Sequence, residues 1–165
     1  MSSHELKTDF SLSTGEKAIL LEDFRWRKSQ IKATSLLANV IYRSAAKDKG
    51  VFETILFENG FITEGAVSNV FCCTDNKIIT PPLSENILPG ITRKVILEVI
   101  QDISLEYEES KIPIESFLEA KEIWVTNSTK GIIPIIDLDG KKIGSGNPGE
   151  KYLKVSEAFM AKLLD

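Results

Sequence analysis

The stretch "FETILFENGFITEG", residues 52–65, decides the fold. Two runs of alternating apolar residues flank Asn59-Gly60. A two-residue hairpin turn needs positive φ at both central positions, and Asn-Gly adopts it at least steric cost. An antiparallel pair is therefore expected here. Just upstream, "SLLANVIYRSAAKDKG" (35–50) carries apolar residues at Leu36, Leu37, Val40, Ile41 and Ala45. That spacing predicts a helix, and Lys47, Lys49 and Gly50 end it. Further upstream, "KAILLEDFRWRKSQIK" (17–32) reads as extended chain broken at Glu22 and Asp23. The first eight residues are polar and expected to fray.

Downstream, "NVFCCTDNKIITPP" (69–82) predicts a second hairpin, turning at Asp75-Asn76 and ended by Pro81 and Pro82. "SENILPG" (84–90) is a loop. "ITRKVILEVIQDIS" (91–104) is a helix with Ile91, Val95, Ile96, Val99, Ile100 and Ile103 on one face. An extended segment, a short helix at 114–122 and a buried strand "EIWVTN" (122–127) follow. After the turn "STKG" comes a third hairpin, around Asp139-Gly140. The loop "GSGNPG" (144–149) leads to a closing amphipathic helix, 150–164. Strands dominate without clean strand–helix alternation. An α+β (mixed α/β) domain is expected, with a mixed sheet or partly closed barrel rather than a doubly wound sheet.

Composition narrows the function. The 165 residues are 42% hydrophobic and 27% charged, enough for one domain with a real core. A net charge of −4 and a pI near 5.2 argue against a nucleic-acid partner. No apolar run is long enough to span a membrane, and "MSSHELKTDF" lacks the apolar region of a secretory signal. Cys72 and Cys73 are adjacent, so on a strand they point to opposite faces. They read as reduced thiols of a cytoplasmic protein.

Three features carry chemistry. In "PGITR", Gly90 leads directly into a helix. The unpaired N–H groups of Ile91 and Thr92 would favour an anion such as phosphate; a plain N-cap turn explains the same residues. In "TNSTKG", a Ser/Thr cluster ends the buried strand, as a ligand contact or a turn cap. The third feature is the pair Lys32 and Glu64. A lysine amine titrates near ~10.4, and burial or a nearby cation would free it as a nucleophile. A carboxylate such as Glu64 would hold a pyridine nitrogen protonated. An ordinary surface charge pair is the alternative.

Taken together, "DFRW", "IKATSLLANV", "TEGAVSNVF", "LPGITR", "EIWVTNSTKGIIPI" and "LDGKKIGSGNPG" resemble the C-terminal domain of fold-type IV pyridoxal-phosphate enzymes. These include D-amino-acid aminotransferases, branched-chain aminotransferases and aminodeoxychorismate lyases. The resemblance runs from about Gly15 to the C-terminus. It implies a cofactor-binding domain over 15–165 behind a flexible segment, 1–14. "GSGNPG" and the Lys32-to-Glu64 spacing look most like the D-amino-acid branch, although Val67 stands where that branch carries a hydroxyl. The lyase branch departs at the threonine of "GITR" and lacks the Ser-Thr pair.

The resemblance also implies roles. Lys32 is the catalytic amine that binds pyridoxal 5′-phosphate and shuttles the proton. Glu64 pairs with the pyridine nitrogen, Ser68 and Asn69 sit near the ring, and Leu88 packs on it. Gly90, Ile91, Thr92 and Ser128 bind the phosphate, and Thr129 lies close to the substrate. Arg25 is a structural or site-lining residue. Partners would be an amino acid, a 2-keto acid and a second copy in a homodimer, with no metal. Family members carry a further N-terminal domain that helps hold phosphate and substrate. Without it the chain reads as a fragment, expected to bind the cofactor weakly and to transaminate poorly. Rival readings are a branched-chain aminotransferase, a lyase on the same cofactor and a non-catalytic domain.

Overall fold

The computed structural model describes residues 12–75 and 77–164. The expected frayed start and Asn76 of the expected second turn lie outside them. The elements in chain order are β1 (Glu16–Glu22), α1 (Leu37–Asp48), β2 (Glu53–Glu58), β3 (Phe61–Gly65), β4 (Asn69–Cys73), β5 (Ile78–Thr80) and α2 (Ile91–Asp102). Then follow β6 (Tyr107–Glu109), α3 (Ile114–Leu118), β7 (Glu122–Asn127), β8 (Gly131–Leu138), β9 (Lys141–Lys142) and α4 (Glu150–Leu164). No helix among the described residues is long and apolar enough to cross a membrane.

The hairpin at 52–65 forms as its sequence dictates. Asn59 and Gly60 take φ of 52° and 82°, and β2 pairs antiparallel with β3. Asp139 and Gly140 repeat the device between β8 and β9, at φ 51° and 79°. The described strands make one mixed sheet in the order β3-β2-β1-β8-β7-β4-β5-β6, with β9 beside β8. Strand–helix alternation does occur, at both flanks: β1 and β2 are parallel across α1, and β5 and β6 are parallel across α2.

The two ends of the sheet curl toward each other, as a partly closed barrel requires. The chain after β6 returns to the far edge. There Ile62 N–H donates to Ile112 O at 2.9 Å and Ile114 N–H to Gly60 O at 3.0 Å. Phe61 and Pro113 form an isolated bridge at the same seam.

Alternation along the strands divides the core. Ile55, Val70, Cys72, Val125, Ile133 and Ile135 gather with Phe117 of α3 on one face. Phe71, Cys73, Ile78 and Trp124 meet Ile96, Val99 and Ile100 of α2 and Tyr152 and Val155 of α4 on the other. The two cysteines therefore part to opposite faces and remain free thiols. Burial pushes the Cys72 thiol up to about 12 and Cys73 well above the usual thiol range, so both are inert at neutral pH. Glu122 seats α4 by accepting from the N–H groups of Lys151 (3.0 Å) and Tyr152 (2.8 Å), where a helix N-terminus favours an anion.

Helix α1 departs from its apolar stripe. Leu36 precedes the helix, and Leu37, Val40 and Ile41 are exposed; Leu37 is 75% exposed. The helix instead buries Tyr42 and Ala46, with Ala38 packed against the same cluster. As the crossover between two parallel strands, α1 must set one face on the sheet. Tyr42 wins that face because its hydroxyl has partners there: it donates to Glu22 O (2.6 Å) and accepts from Phe24 N–H (2.7 Å). Tyr42→Ala should therefore cost about 3–5 kcal/mol in denaturant unfolding, while Leu37→Ser should cost about 0.5 kcal/mol or less. Comparable losses for the two variants would mean that α1 is seated on its other face.

Candidate active site

The segment between β1 and α1, residues 23–36, is held over the β2–β3 hairpin. Asp23 N–H donates to Phe57 O at 2.7 Å, and Gln30 N–H to Glu85 O at 3.2 Å. Between these anchors Arg25 turns inward, its side chain only 5% exposed. It forks onto Asp23, Nε to Oδ1 at 2.9 Å and Nη2 to Oδ2 at 2.7 Å. Its Nη1 reaches Glu64 Oε1, and Nη2 also donates to Asn86 O at 3.0 Å. Thr63 Oγ1 donates to Asp23 Oδ2 at 2.9 Å from β3.

Glu64 is thus a buried carboxylate with specified partners. Besides Arg25, its Oε2 accepts from Leu88 N–H at 2.9 Å and Asn69 Nδ2 at 3.2 Å. A carboxylate offers about four acceptor positions, so about one is left over. Burial raises its pKa to about 7, against the pull of Arg25 and the Leu88 N–H. Burial alone would lower the Arg25 pKa, but the bonds and charges of Asp23 and Glu64 outweigh it and raise it. The same guanidinium outweighs burial at Asp23 and holds that carboxyl below its ordinary value.

Leu88 and Asn69 then place the start of α2. Asn69 Nδ2 also donates to Leu88 O at 2.8 Å. A Cβ on Gly90 would collide with Asn69 Oδ1, so the closeness of this packing requires glycine. Gly90 is the N-cap residue, and no side chain caps the helix. The N–H groups at the start of α2 accordingly face the cavity uncovered, with the partial positive charge of the helix terminus behind them. Thr126, at the end of β7, lines the same cavity, and its buried hydroxyl has no hydrogen-bond partner. The following turn is self-contained: Asn127 Oδ1 accepts from the Thr129 N–H (3.1 Å), the Thr129 hydroxyl (2.9 Å) and the Lys130 N–H (2.9 Å).

A cavity of about 360 Å³ joins these elements. Lys32, Glu64, Ser68, Asn69, Leu88, Gly90, Ile91, Thr92, Ser128 and Thr129 all line it, so every residue singled out from sequence converges on one space. Three of them have surroundings that sequence alone did not specify. Glu64 pairs with Arg25, and among the described residues no ion pair joins it to Lys32. The Ser68 hydroxyl donates at 2.7 Å to Glu53, a carboxyl buried behind it, so Ser68 braces the loop. Ile91, expected on the buried face of its helix, is 77% exposed because it sits at the cavity mouth.

Sequence reasoning did not single out Asp23, and it reached Thr126 only as part of the "TNSTKG" cluster. Asp23 carried one signal, a charge interrupting an apolar strand pattern beside Arg25. Thr126 carried none beyond its place in the Ser/Thr cluster.

Glu64 makes stability depend on pH in a stated direction. Its folded value of about 7 lies above the 4.5 of an unperturbed carboxyl. Between them the folded chain keeps a proton that the unfolded chain releases, so stability falls as pH rises through that window. Relative to Glu64→Gln, the cofactor-free wild type should lose on the order of 3 kcal/mol across it in urea unfolding. A difference that stays flat, or grows with pH, would contradict the burial assigned to Glu64. Gly90→Ala should cost about 1–3 kcal/mol in the same assay through the collision with Asn69.

The comparisons with known proteins agree with this geometry. The profile of Amino-transferase class IV matches residues 7–138. A D-alanine aminotransferase from Bacillus licheniformis is 37% identical over 158 residues, 96% of this chain and 56% of that protein. One from Staphylococcus haemolyticus is 34% identical over 148 residues, 90% of this chain and 52% of that protein. Among solved structures, the branched-chain amino acid aminotransferase of Escherichia coli superposes with a TM-score of 0.81 at 28% identity, covering 92% of this chain and 52% of that one. A branched-chain aminotransferase from Thermoproteus uzoniensis, solved with norvaline, gives 0.82 at 27%, with the same coverage. The chain spans about half the length of the curated relatives it matches. With a profile match over most of its length and the fold shared with these structures, the chain belongs to the amino-transferase class IV family.

Proposed function

We propose that the chain is the cofactor-binding part of a pyridoxal-phosphate-dependent aminotransferase acting on D-amino acids. The observation that carries this reading is the convergence of Lys32, Glu64 and the uncapped start of α2 on one cavity. The residues present fit the cofactor. About 360 Å³ suits a small ligand. The open helix N-terminus offers donors on one side, beside Thr126, whose buried hydroxyl is unpartnered. On the other, two carboxylates share one guanidinium, which leaves one negative charge for a protonated ring nitrogen. Class IV aminotransferases use this cofactor generally.

When bound, pyridoxal phosphate supplies a carbonyl that condenses with amines and a protonated ring that draws electrons from the substrate Cα. The chain's own residues do the rest. Lys32 Nζ would hold the aldehyde end of the cofactor and, once the substrate amine displaces it, would serve as general base and acid for the proton at the substrate Cα. Glu64 holds the proton on the ring nitrogen. The N–H groups of Ile91 and Thr92, with Ser128, bind the phosphate, and Gly90 lets them approach. Leu88 and Asn69 border the ring, Ser68 braces the loop beside it, and Thr129 faces the substrate. The net reaction exchanges the amino group of an amino acid for the keto oxygen of a 2-keto acid.

The rim supports a further part of this reading. Trp26, Leu37, Val67 and Ile91 are exposed apolar residues on or beside the cavity. In the working enzyme a further domain covers this rim and completes the phosphate and substrate contacts, and the protein is a homodimer of the cytoplasm. The D-amino-acid assignment rests on the likeness to D-alanine aminotransferases. Likeness to branched-chain aminotransferase structures favours L-leucine-type substrates as the second reading.

Borohydride treatment of the chain mixed with pyridoxal phosphate should leave the cofactor mass on the peptide containing Lys32, and none in Lys32→Ala. In the protein with its complete amino-terminal part, D-alanine with 2-oxoglutarate should turn over faster than L-leucine, and Lys32→Ala should lower the rate by at least about 100-fold. Faster turnover of L-leucine would replace the D-amino-acid reading with the branched-chain one. Attachment elsewhere, or an active Lys32→Ala, would remove the aminotransferase assignment.

A further inference from the structure

Asp23 has no part in the chemistry just described, yet its carboxylate is buried beside the cavity wall, with a side-chain exposure of 6%. It is not a spare partner for Arg25 but the dominant one. It accepts from Arg25 Nε, Nη2 and backbone N–H, whereas Glu64 accepts from Nη1 alone. Thr63 fixes Asp23 from β3, so the fork cannot swing toward Glu64 without breaking a further bond. A guanidinium spread over two carboxylates neutralises neither completely. The one held bidentate takes the larger share.

We propose that Asp23 and Arg25 are positioning residues that act as a pair on Glu64: Arg25 draws negative charge from it, and Asp23 gives part of that charge back to the cavity. The inference builds on the proposed function, because a carboxylate left partly uncompensated suits a ring-nitrogen proton. Arg25 alone would turn Glu64 into half of a closed ion pair with little attraction for a further proton. With neither residue, a carboxyl this buried would take up a proton and carry no charge. The fork places Glu64 between these extremes, and it does so in the empty site.

Other groups facing Glu64 do not supply this balance. Asn69 of β4 and the Leu88 N–H are neutral donors. Lys32 lines the same cavity without an ion pair to Glu64. Tyr42 of α1 approaches the Asp23 side, with its hydroxyl bonded to backbone at Glu22 and Phe24. Glu58 of β2 is engaged by Asn86 at 2.6 Å.

The test uses the described chain without cofactor, so its result does not depend on pyridoxal phosphate binding at all. Carbon-13 NMR of glutamate Cδ is followed from pH 4.5 to 9, with the Glu64 resonance assigned by its loss in Glu64→Gln. Asp23→Asn, which removes the charge and keeps the size, should lower the Glu64 midpoint by about 1 pH unit. Arg25→Gln should raise it by about 1 or more, and Arg25→Lys should lie between wild type and Arg25→Gln. Opposite movements by Asp23→Asn and Arg25→Lys support the proposal even if Arg25→Gln does not fold. An unmoved or raised midpoint in Asp23→Asn, or movement of both in one direction as general loosening would cause, overturns it. If the midpoints behave as stated but no cofactor attaches to Lys32, the charge balance stands and the aminotransferase reading falls.

Discussion

One guanidinium serving two buried carboxylates is the constraint around which the cavity is built. Arg25 joins the segment before α1 to β3 through Glu64, and to the loop before α2 through Asn86 O. Remove it and two carboxylates remain in a space only about 5% open, a loss expected to run to about 3–5 kcal/mol. Well-packed apolar residues would hold the same three segments at less electrostatic cost. The charges make better sense as part of a site than as a staple. With Glu64 ionised they leave one buried negative charge at the cavity, and a protonated ring nitrogen would meet it.

The rest of the fold serves that placement. Curling the sheet brings the end of β7 across from the start of α2, so Thr126 and the helix N-terminus line one space. The parallel crossover through α1 carries residues 23–36 over the hairpin and sets Lys32 on the cavity wall. Tight approaches at Gly65 and Gly90 let Ser68 and Asn69 pack where a Cβ would stand. The core on both faces of the sheet holds these ends rigid, while the exposed apolar rim marks where the wall is incomplete within the described residues.

Local chemistry was legible wherever it acts locally. Asn59-Gly60 and Asp139-Gly140 announce their turns because positive φ is a single-residue preference. The adjacent cysteines announce opposite faces because strand periodicity is two. The parallel pairings were not legible, since β5 and β6 are three residues each and their partnership is made across a helix. The face of α1 was misread because Leu37, Val40 and Ile41 carry the apolar signal, while a hydroxyl at Tyr42 secures the buried side. Among the site residues, Lys32, Glu64 and the "PGITR" and "TNSTKG" motifs were found by residue type and resemblance. The pairing of Glu64 with Arg25, 39 residues away in sequence, is tertiary and leaves no periodic trace.

A crystal structure of the protein loaded with pyridoxal phosphate tests the central claim most directly. The account predicts the ring nitrogen within hydrogen-bond distance of Glu64, the phosphate on the N–H groups of Ile91 and Thr92, and continuous density from the cofactor to Lys32 Nζ. A cofactor seated elsewhere, or seated here with Glu64 turned wholly to Arg25, would contradict it.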